Sequence, residues 1–258
     1  MSGTALKWIA VAAMILDHIA AYIPGAPFFL HWIGRLAAPL FMFCFAFSMQ
    51  YTHDRTKFLV RLYVLSLIMG LVNFFVYLFY RSPYEIMTNN FFATLFLIGM
   101  CIVILEMIRD DPAFGKRLLL VFAVFEGVSA LICFMAGFVQ PQLRLDLLIQ
   151  GLVPNVFDTE GGILIVLFGV LLYWFRKERK WLCGVYAAMC AAYAVIVWIQ
   201  AGFSWTALLF DDYQWMMVAA VPLFYLYNGQ RGKGYKYFFY VFYPVHIWIL
   251  FVLGNCIQ

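Results

Sequence analysis

The sequence predicts an all-α fold, a polytopic transmembrane bundle of about nine helices with a cytoplasmic N-terminus and an outside C-terminus. Three observations predict it. Of 258 residues, 66% are hydrophobic and only 12% charged, whereas a soluble domain carries about a quarter charged residues. Apolar runs close to the ~20 residues that cross a bilayer recur along the whole chain. The Lys and Arg residues between those runs fall on one side when nine crossings are counted.

The runs place helices near 5–23, 31–51, 59–80, 90–108, 118–138, 160–175, 182–200, 213–228 and 237–255. Only Lys7 precedes the first run, Asp17 and His18 interrupt it, and no convincing small-x-small cleavage site follows, so it reads as a retained helix rather than a signal peptide. Pro24 and Pro27 punctuate the first turn, Ser82-Pro83 the loop after the third helix, and Gly229, Gly232 and Gly234 loosen the link before the last. The sixth helix is short. The fairly apolar stretch Leu143 to Leu152 suits an interfacial or re-entrant helix. The cysteines Cys44, Cys101, Cys133, Cys183, Cys190 and Cys256 all fall in or beside apolar runs without a CxxC pair. They read as packing residues, with neither a disulfide framework nor a metal site.

Orientation follows from the basic clusters Arg55/Lys57/Arg61, Arg109/Lys116/Arg117, Arg176/Lys177/Arg179/Lys180 and Arg231/Lys233/Lys236. With Lys7 they make fourteen of the seventeen basic residues, all on the side that the positive-inside rule makes cytoplasmic. Arg81 and Arg144 fall in opposite loops, and Arg35 lies inside the second helix. The basic rim suits an anionic nucleotide such as coenzyme A, although topology alone also explains it.

Charged residues near mid-bilayer cost several kcal/mol and usually face a bundle interior. They are Asp17 and His18 in the first helix, Arg35 in the second, Glu126 in the fifth and His246 in the ninth. At 1.5 Å per residue, Asp17 and His18 sit roughly 17–20 Å above the cytoplasmic ends, His246 roughly 14 Å and Asn73 roughly 21 Å, with Arg35 roughly 6 Å below the outer surface. These residues share one layer. Glu126, lower, reads as a structural or water-bound acid. Asp17 and Arg35 fit a structural ion pair that fixes helix register, and a lone His246 fits an imidazole satisfied by a carbonyl. Two histidines at matching depth beside an acid and an arginine also fit a site. Because Asp17 and His18 diverge by about 100° on a helix, Asp17 should pair across helices, with Arg35 or His246. Tyr243 and His246, spaced i, i+3, share a face, and Pro244 between them is a candidate kink.

Several segments resemble the TraX family: Leu6 to Ile19, Gly34 to Phe41, Thr52…Arg55…Arg61-Leu62, Asn90 to Leu95, Tyr227 to Gly232 and Phe239 to His246. The match runs from residue 6 to about 250 as one integral membrane domain over 1–258, and is weaker over 110–210. The stretch Asn155 to Gly162 carries only a faint likeness. The family's founding member is associated with N-terminal acetylation of a conjugative pilin. The resemblance therefore implies a multi-pass acyltransferase of the bacterial cytoplasmic membrane. Acetyl-CoA would be its donor and no metal would be needed. The acceptor, an amine or hydroxyl on a protein N-terminus, glycan or lipid, would arrive from outside. His18 would take the acceptor's proton or carry the acetyl group, Asp17 and Arg35 would hold the electrostatics, and His246 and Tyr243 would orient the thioester or stabilise the oxyanion. Asn73 and Thr94 would be cavity hydrogen-bonders.

Beyond membrane lipid, no nucleic-acid partner is expected, and no phosphate-binding glycine loop, nucleophile elbow or metal-ligand spacing is present. Two other classes stay open. Intramembrane Asp, His and Glu also build proton relays in transporters, and the polar layer would serve equally as the frame of a non-catalytic assembly partner.

Overall fold

The structure, a computed structural model, describes residues 1–80, 87–139 and 141–257, so Arg81 and the Ser82-Pro83 loop lie outside the described residues. It is helical: α1 (Gly3–Tyr22), α2 (Phe29–Gly34), α3 (Ala37–Tyr51), α4 (Arg55–Tyr80), α5 (Phe91–Asp110), α6 (Pro112–Val139), α7 (Leu145–Leu152), α8 (Gly162–Trp174), α9 (Arg179–Gln200), α10 (Val221–Tyr225) and α11 (Lys236–Ile257). Among the described residues, seven helical segments are long and apolar enough to cross a membrane, α2 and α3 counting together as Phe29–Tyr51. The regions expected at 160–175 and 213–228 form shorter apolar helices, Gly162–Trp174 and Gln214–Tyr225. Thirteen residues in an α-helix rise only about 20 Å against a hydrocarbon core of ~30 Å. The chain is a multi-span membrane protein.

Its helices reverse the soluble pattern. In α6 the buried residues are Gly115, Glu126, Ser129 and Cys133, while Phe125, Leu131, Phe134 and Phe138 lie more than half exposed. Polar groups turn inward and apolar ones outward, as a lipid solvent requires.

Prolines explain two departures from the expected helices. The second helix is broken at Arg35-Leu36, because Pro39 has no N–H to give the Arg35 carbonyl. In the same way Pro222 cannot donate to Val218, and the chain from Gln214 to Ala220 tightens into a 3-10 helix before α10.

The chain forms two compact units, Met1–Ser48 with Leu171–Gln258, and Met49–Val170. In the first, the opening turn of α1 is held by the loop before α11. Gly3 N donates to Gln230 O at 2.8 Å and Thr4 N to Arg231 O at 3.0 Å, which satisfies amides that a helix start leaves without partners. Gly232 has φ +76°, and a Cβ there would stand 2.7 Å from Thr4 Oγ1. The glycine is thus a close-approach residue as well as a loose link. Arg179 donates to the Tyr225 and Tyr227 carbonyls at the end of α10, where a helix dipole favours a cation.

In the second unit, α7 occupies the stretch expected at 143–152 and packs on α4. The two helices meet through Gly70 and Gly151, and Tyr63 Oη donates to Leu152 O at 2.7 Å. A Cβ on Gly151 would stand 2.7 Å from the Gly70 Cα, with backbone on both sides and nothing able to yield. Gly151→Ala should therefore cost about 1–3 kcal/mol through overpacking. Gly127→Ala, where no atom lies within 4 Å of the added carbon, should change little. Thermal unfolding of the detergent-solubilised protein checks both; equal melting temperatures for the two variants would refute this account of the α4–α7 seam.

Candidate functional site

In the first unit the polar residues of α1 form two adjoining groups. The first is a histidine pair. His246 Nδ1 lies 2.8 Å from the Phe242 carbonyl one turn earlier in α11. A carbonyl only accepts, so Nδ1 carries the proton and, in the uncharged ring, Nε2 carries a lone pair. His18 Nδ1 stands 2.7 Å from that Nε2 and must be its donor. His18 Nε2 is then left with its lone pair, and it has no protein partner among the described residues. The rings stack with centroids 4.9 Å apart, and His246 in turn stacks on Phe242 at 4.9 Å. Both imidazoles are buried, His18 at 5% exposure and His246 at 8%. Tyr243 sets its ring 6.1 Å from His246, and Pro244 lies inside α11 between them.

The second group is built on Asp17. Its Oδ2 accepts from Arg35 Nη2 at 2.6 Å and its Oδ1 from His31 Nδ1 at 2.9 Å. Of the two partners that the sequence allowed, Arg35 is the one observed. The other Arg35 nitrogens donate to Gln214 Oε1 at 2.7 Å and to the His31 carbonyl at 3.3 Å, and the guanidinium lies over the Tyr213 ring. Gly34 makes this approach possible, because a Cβ there would come within 2.5 Å of Asp17 Oδ1. The break after α2 leaves Arg35 at the C-terminal end of that helix, pointing back along it to α1. The side chains of Asp17, His31 and Arg35 are 18–20% exposed, so this group is more open than the histidine pair beside it.

Phe28 and Tyr213 line His31 with ring centroids at 5.3 and 5.7 Å. Trp32 Nε1 donates to Leu209 O at 2.9 Å and Trp215 Nε1 to Leu208 O at 3.0 Å, which ties the π-helical turn Ala207–Asp211 to the same wall. His31, Gln214 and the Phe242 carbonyl are absent from the sequence-based set. The i, i+4 spacing of His31 and Arg35 was the signal for the first; nothing in the sequence marks the other two.

Asn73 and Thr94 belong to the second unit and bond within it. Asn73 Nδ2 donates to Asn89 O at 2.9 Å. Thr94 Oγ1 stands 2.9 Å from Thr159 Oγ1 and donates to Glu160 O at 3.0 Å. The faintly familiar stretch 155–162 organises that unit's polar interior. Asn155 Oδ1 caps the Phe157 and Asp158 amides, both at 3.0 Å, and Glu160 accepts from Asn90 N at 2.9 Å. Glu126, expected to be a structural or water-bound acid, accepts from Val156 N at 2.7 Å through one oxygen, and its Oε1 has no protein partner among the described residues. Among the described residues no cluster of three or more His, Cys, Asp or Glu side chains is placed to hold a metal ion, and the six cysteines are unpaired.

A family model described as TraX protein matches residues 2–254, and the chain belongs to the TraX family. It is also similar to the probable fimbrial assembly protein FimC, serogroup H1, of Dichelobacter nodosus. The two are 26% identical over 263 residues, which cover 96% of this chain and 94% of that protein. No solved structure matches the chain.

The Asp17 group also supports a stability test. Removing one member of a mostly buried ion pair leaves the other unmatched, and the ~20% exposure softens that penalty, so Asp17→Ala should cost about 2–4 kcal/mol. Adding Arg35→Met, which removes the stranded cation, should restore at least half of the loss in a thermal unfolding measurement. A double variant less stable than Asp17→Ala alone would show that the pairing is not what Asp17 contributes.

Proposed function

We propose that this TraX-family chain is an acyltransferase embedded in the bacterial cytoplasmic membrane, moving an acetyl group from cytoplasmic acetyl-CoA to an acceptor presented outside. The observation that carries the reading is the buried His18–His246 pair. A carbonyl fixes one ring, that ring fixes the next, and the outcome is a lone pair on His18 Nε2 (2.8 and 2.7 Å for the two bonds). A base or nucleophile requires it.

The basic residues suit the donor. Lys7 lies near the start of α1, and Thr4 bonds the Arg231 and Lys233 carbonyls, so a cationic loop gathers at one end of that helix. By the positive-inside rule this end is cytoplasmic. His18 lies eleven residues beyond Lys7, roughly 16 Å further along the axis. In this arrangement the nucleotide of coenzyme A stays at the cytoplasmic rim, and its pantetheine arm brings the thioester to the histidine pair. The charged donor never crosses the bilayer.

The chemistry balances without a metal. The thioester carbonyl is attacked, its C–S bond breaks, and CoA leaves as the thiol. A new C–N or C–O bond to the acceptor replaces the broken one, and the acceptor's proton passes to a base. His18 Nε2 is the reacting nitrogen, either as the attacking group that carries the acetyl or as that base. His246 holds it in the correct tautomer, and Tyr243 lies beside the pair. Asp17 and Arg35 hold the adjoining charge. Asn73 and Thr94 make their hydrogen bonds within the second unit. The fimbrial-assembly name of the Dichelobacter relative favours a surface-filament subunit as the acceptor, bearing a free amine. That name also fits a second reading, in which the chain assists assembly without catalysis.

Purified protein incubated with labelled acetyl-CoA and an amine-bearing peptide should yield labelled peptide and free CoA. His18→Gln should lower that transfer by about 10²–10⁴-fold, the usual worth of a positioned proton-transfer group, with unchanged membrane insertion. His246→Phe, which keeps the stacking but removes the acceptor of the His18 proton, should lower it by at least tenfold. Full activity in His18→Gln would remove His18 from the mechanism. No transfer by the unsubstituted protein, with filament assembly dependent on its presence, would favour the non-catalytic reading.

A further inference from the structure

We infer that the reaction uses two imidazoles with separate tasks, and that His31, bonded to Asp17, is the base that takes the proton of the incoming acceptor amine. The inference rests on the acyltransferase reading above and extends it to a residue that carries no role there.

The geometry of His31 is that of an oriented base. A carboxylate accepts only, so Asp17 Oδ1, at 2.9 Å, fixes the His31 proton on Nδ1 and leaves a lone pair on Nε2. Nε2 has no protein partner among the described residues. The carboxylate is itself held by Arg35 Nη2 at 2.6 Å, and Arg35 by Gln214 Oε1 at 2.7 Å. Nucleophile, base and orienting group in a line are the general pattern of acyl transfer. Here the orienting carboxylate serves His31, not its own neighbour His18. His31, on α2, is bonded to Asp17, and His18 is the next residue of α1, its side chain turned about 100° from that of Asp17.

Exposure divides the tasks. His18 and His246 are 5% and 8% exposed, suited to a thioester and an acetyl group that must be kept from water. The His31 side chain is 18% exposed. It sits on α2 just past the turn that ends α1, at the opposite end of α1 from Lys7. Phe28 at 5.3 Å and Tyr213 at 5.7 Å form aromatic walls beside the ring. An ammonium approaching an imidazole between aromatic faces gains cation–π attraction while it sheds water.

The steps then follow. His18 Nε2 attacks the thioester carbonyl, forming an N–C bond as the C–S bond breaks, and the sulfur leaves as the CoA thiolate, which takes its proton from water. The acceptor arrives as an ammonium and gives one proton to His31 Nε2. Its freed nitrogen pair attacks the acetyl carbon, and the bond to His18 breaks. The second proton on the new amide nitrogen is lost to water.

The test separates the two imidazoles with two acceptors. Transfer from labelled acetyl-CoA is measured to a short peptide with a free N-terminal amine and to hydroxylamine, whose nitrogen is already uncharged at neutral pH. His31→Gln should lower transfer to the peptide by about 10²-fold or more and leave transfer to hydroxylamine within about threefold, which also shows that the variant is folded. Asp17→Asn, whose amide can present its N–H₂ to His31 and reverse the tautomer, should lower transfer to the peptide by about tenfold or more. His18→Gln should lose both acceptors. Equal loss of both acceptors in His31→Gln, or no loss of either, would overturn the assignment of His31. No transfer to either acceptor by the unsubstituted protein would overturn the acyltransferase reading and this inference with it.

Discussion

A carboxylate placed in an apolar bundle costs several kcal/mol unless other groups replace the water it loses. Asp17 meets that requirement with one guanidinium and one imidazole, at 2.6 and 2.9 Å. Much of the first unit's local geometry follows. To bring Arg35 and His31 onto one carboxylate, α2 must lie against α1 with no side chain between them, hence Gly34. To aim Arg35 back at α1, the helix must stop there, and Pro39 stops it by withholding a hydrogen bond. Gln214 satisfies the remaining arm of Arg35 from a 3-10 helix that Pro222 brings about. Each of these local oddities in a chain that is otherwise regular helix leads to the same carboxylate.

The second unit partners its helix polar groups by a different device, with Asn73 Oδ1 and Glu126 Oε1 left without a protein partner among the described residues. Asn73, Asn90, Thr94, Glu126 and Ser129 project from helices that are otherwise apolar, and they bond to the backbone of Asn89, Ser66, Glu160, Val156 and Val153 or to nearby side chains. Much of that backbone belongs to the irregular segment after α7. Non-helical chain is tolerated at membrane depth only where protein covers its amides and carbonyls, and here the helix side chains provide the cover. Helix polar residues and irregular loop thus partner one another.

The sequence makes the class of fold plain, because lipid imposes its demand on every span: about twenty apolar residues, with the exceptions turned inward. The Asp17–Arg35 pairing was legible for the same reason, as two unlike charges on neighbouring spans have few other places to go. His31 was harder to see. It falls at the edge of an apolar run, where a histidine reads as a boundary residue, and its importance depends on a helix break that the hydropathy of 31–51 conceals. The sixth helix reads as short in the sequence and is short at 162–174, but the shortness of the helix at 214–225 is invisible to hydropathy, which counts apolar residues without knowing whether their backbone rises far enough to span. The part played by the Phe242 carbonyl could not be read at all, since a main-chain acceptor leaves no mark in the side-chain code.

Proton placement in this site descends from groups that cannot change. A backbone carbonyl never donates, so Phe242 dictates the tautomer of His246, and His246 that of His18. A carboxylate held by arginine likewise dictates that of His31. Both imidazoles therefore present the same atom, Nε2, in the same lone-pair state, although one chain of control begins in α11 and the other in α1. Deletion of the Asp17 side chain would leave the His18–His246 bonds with their own source of order, and loss of His246 would leave His31 with its carboxylate. Two independently oriented nitrogens, His18 Nε2 on α1 and His31 Nε2 on α2, are a costly thing to assemble in a membrane, where every added polar atom must find a partner. On the acyltransferase reading proposed above, a donor and an acceptor would each meet a nitrogen of their own.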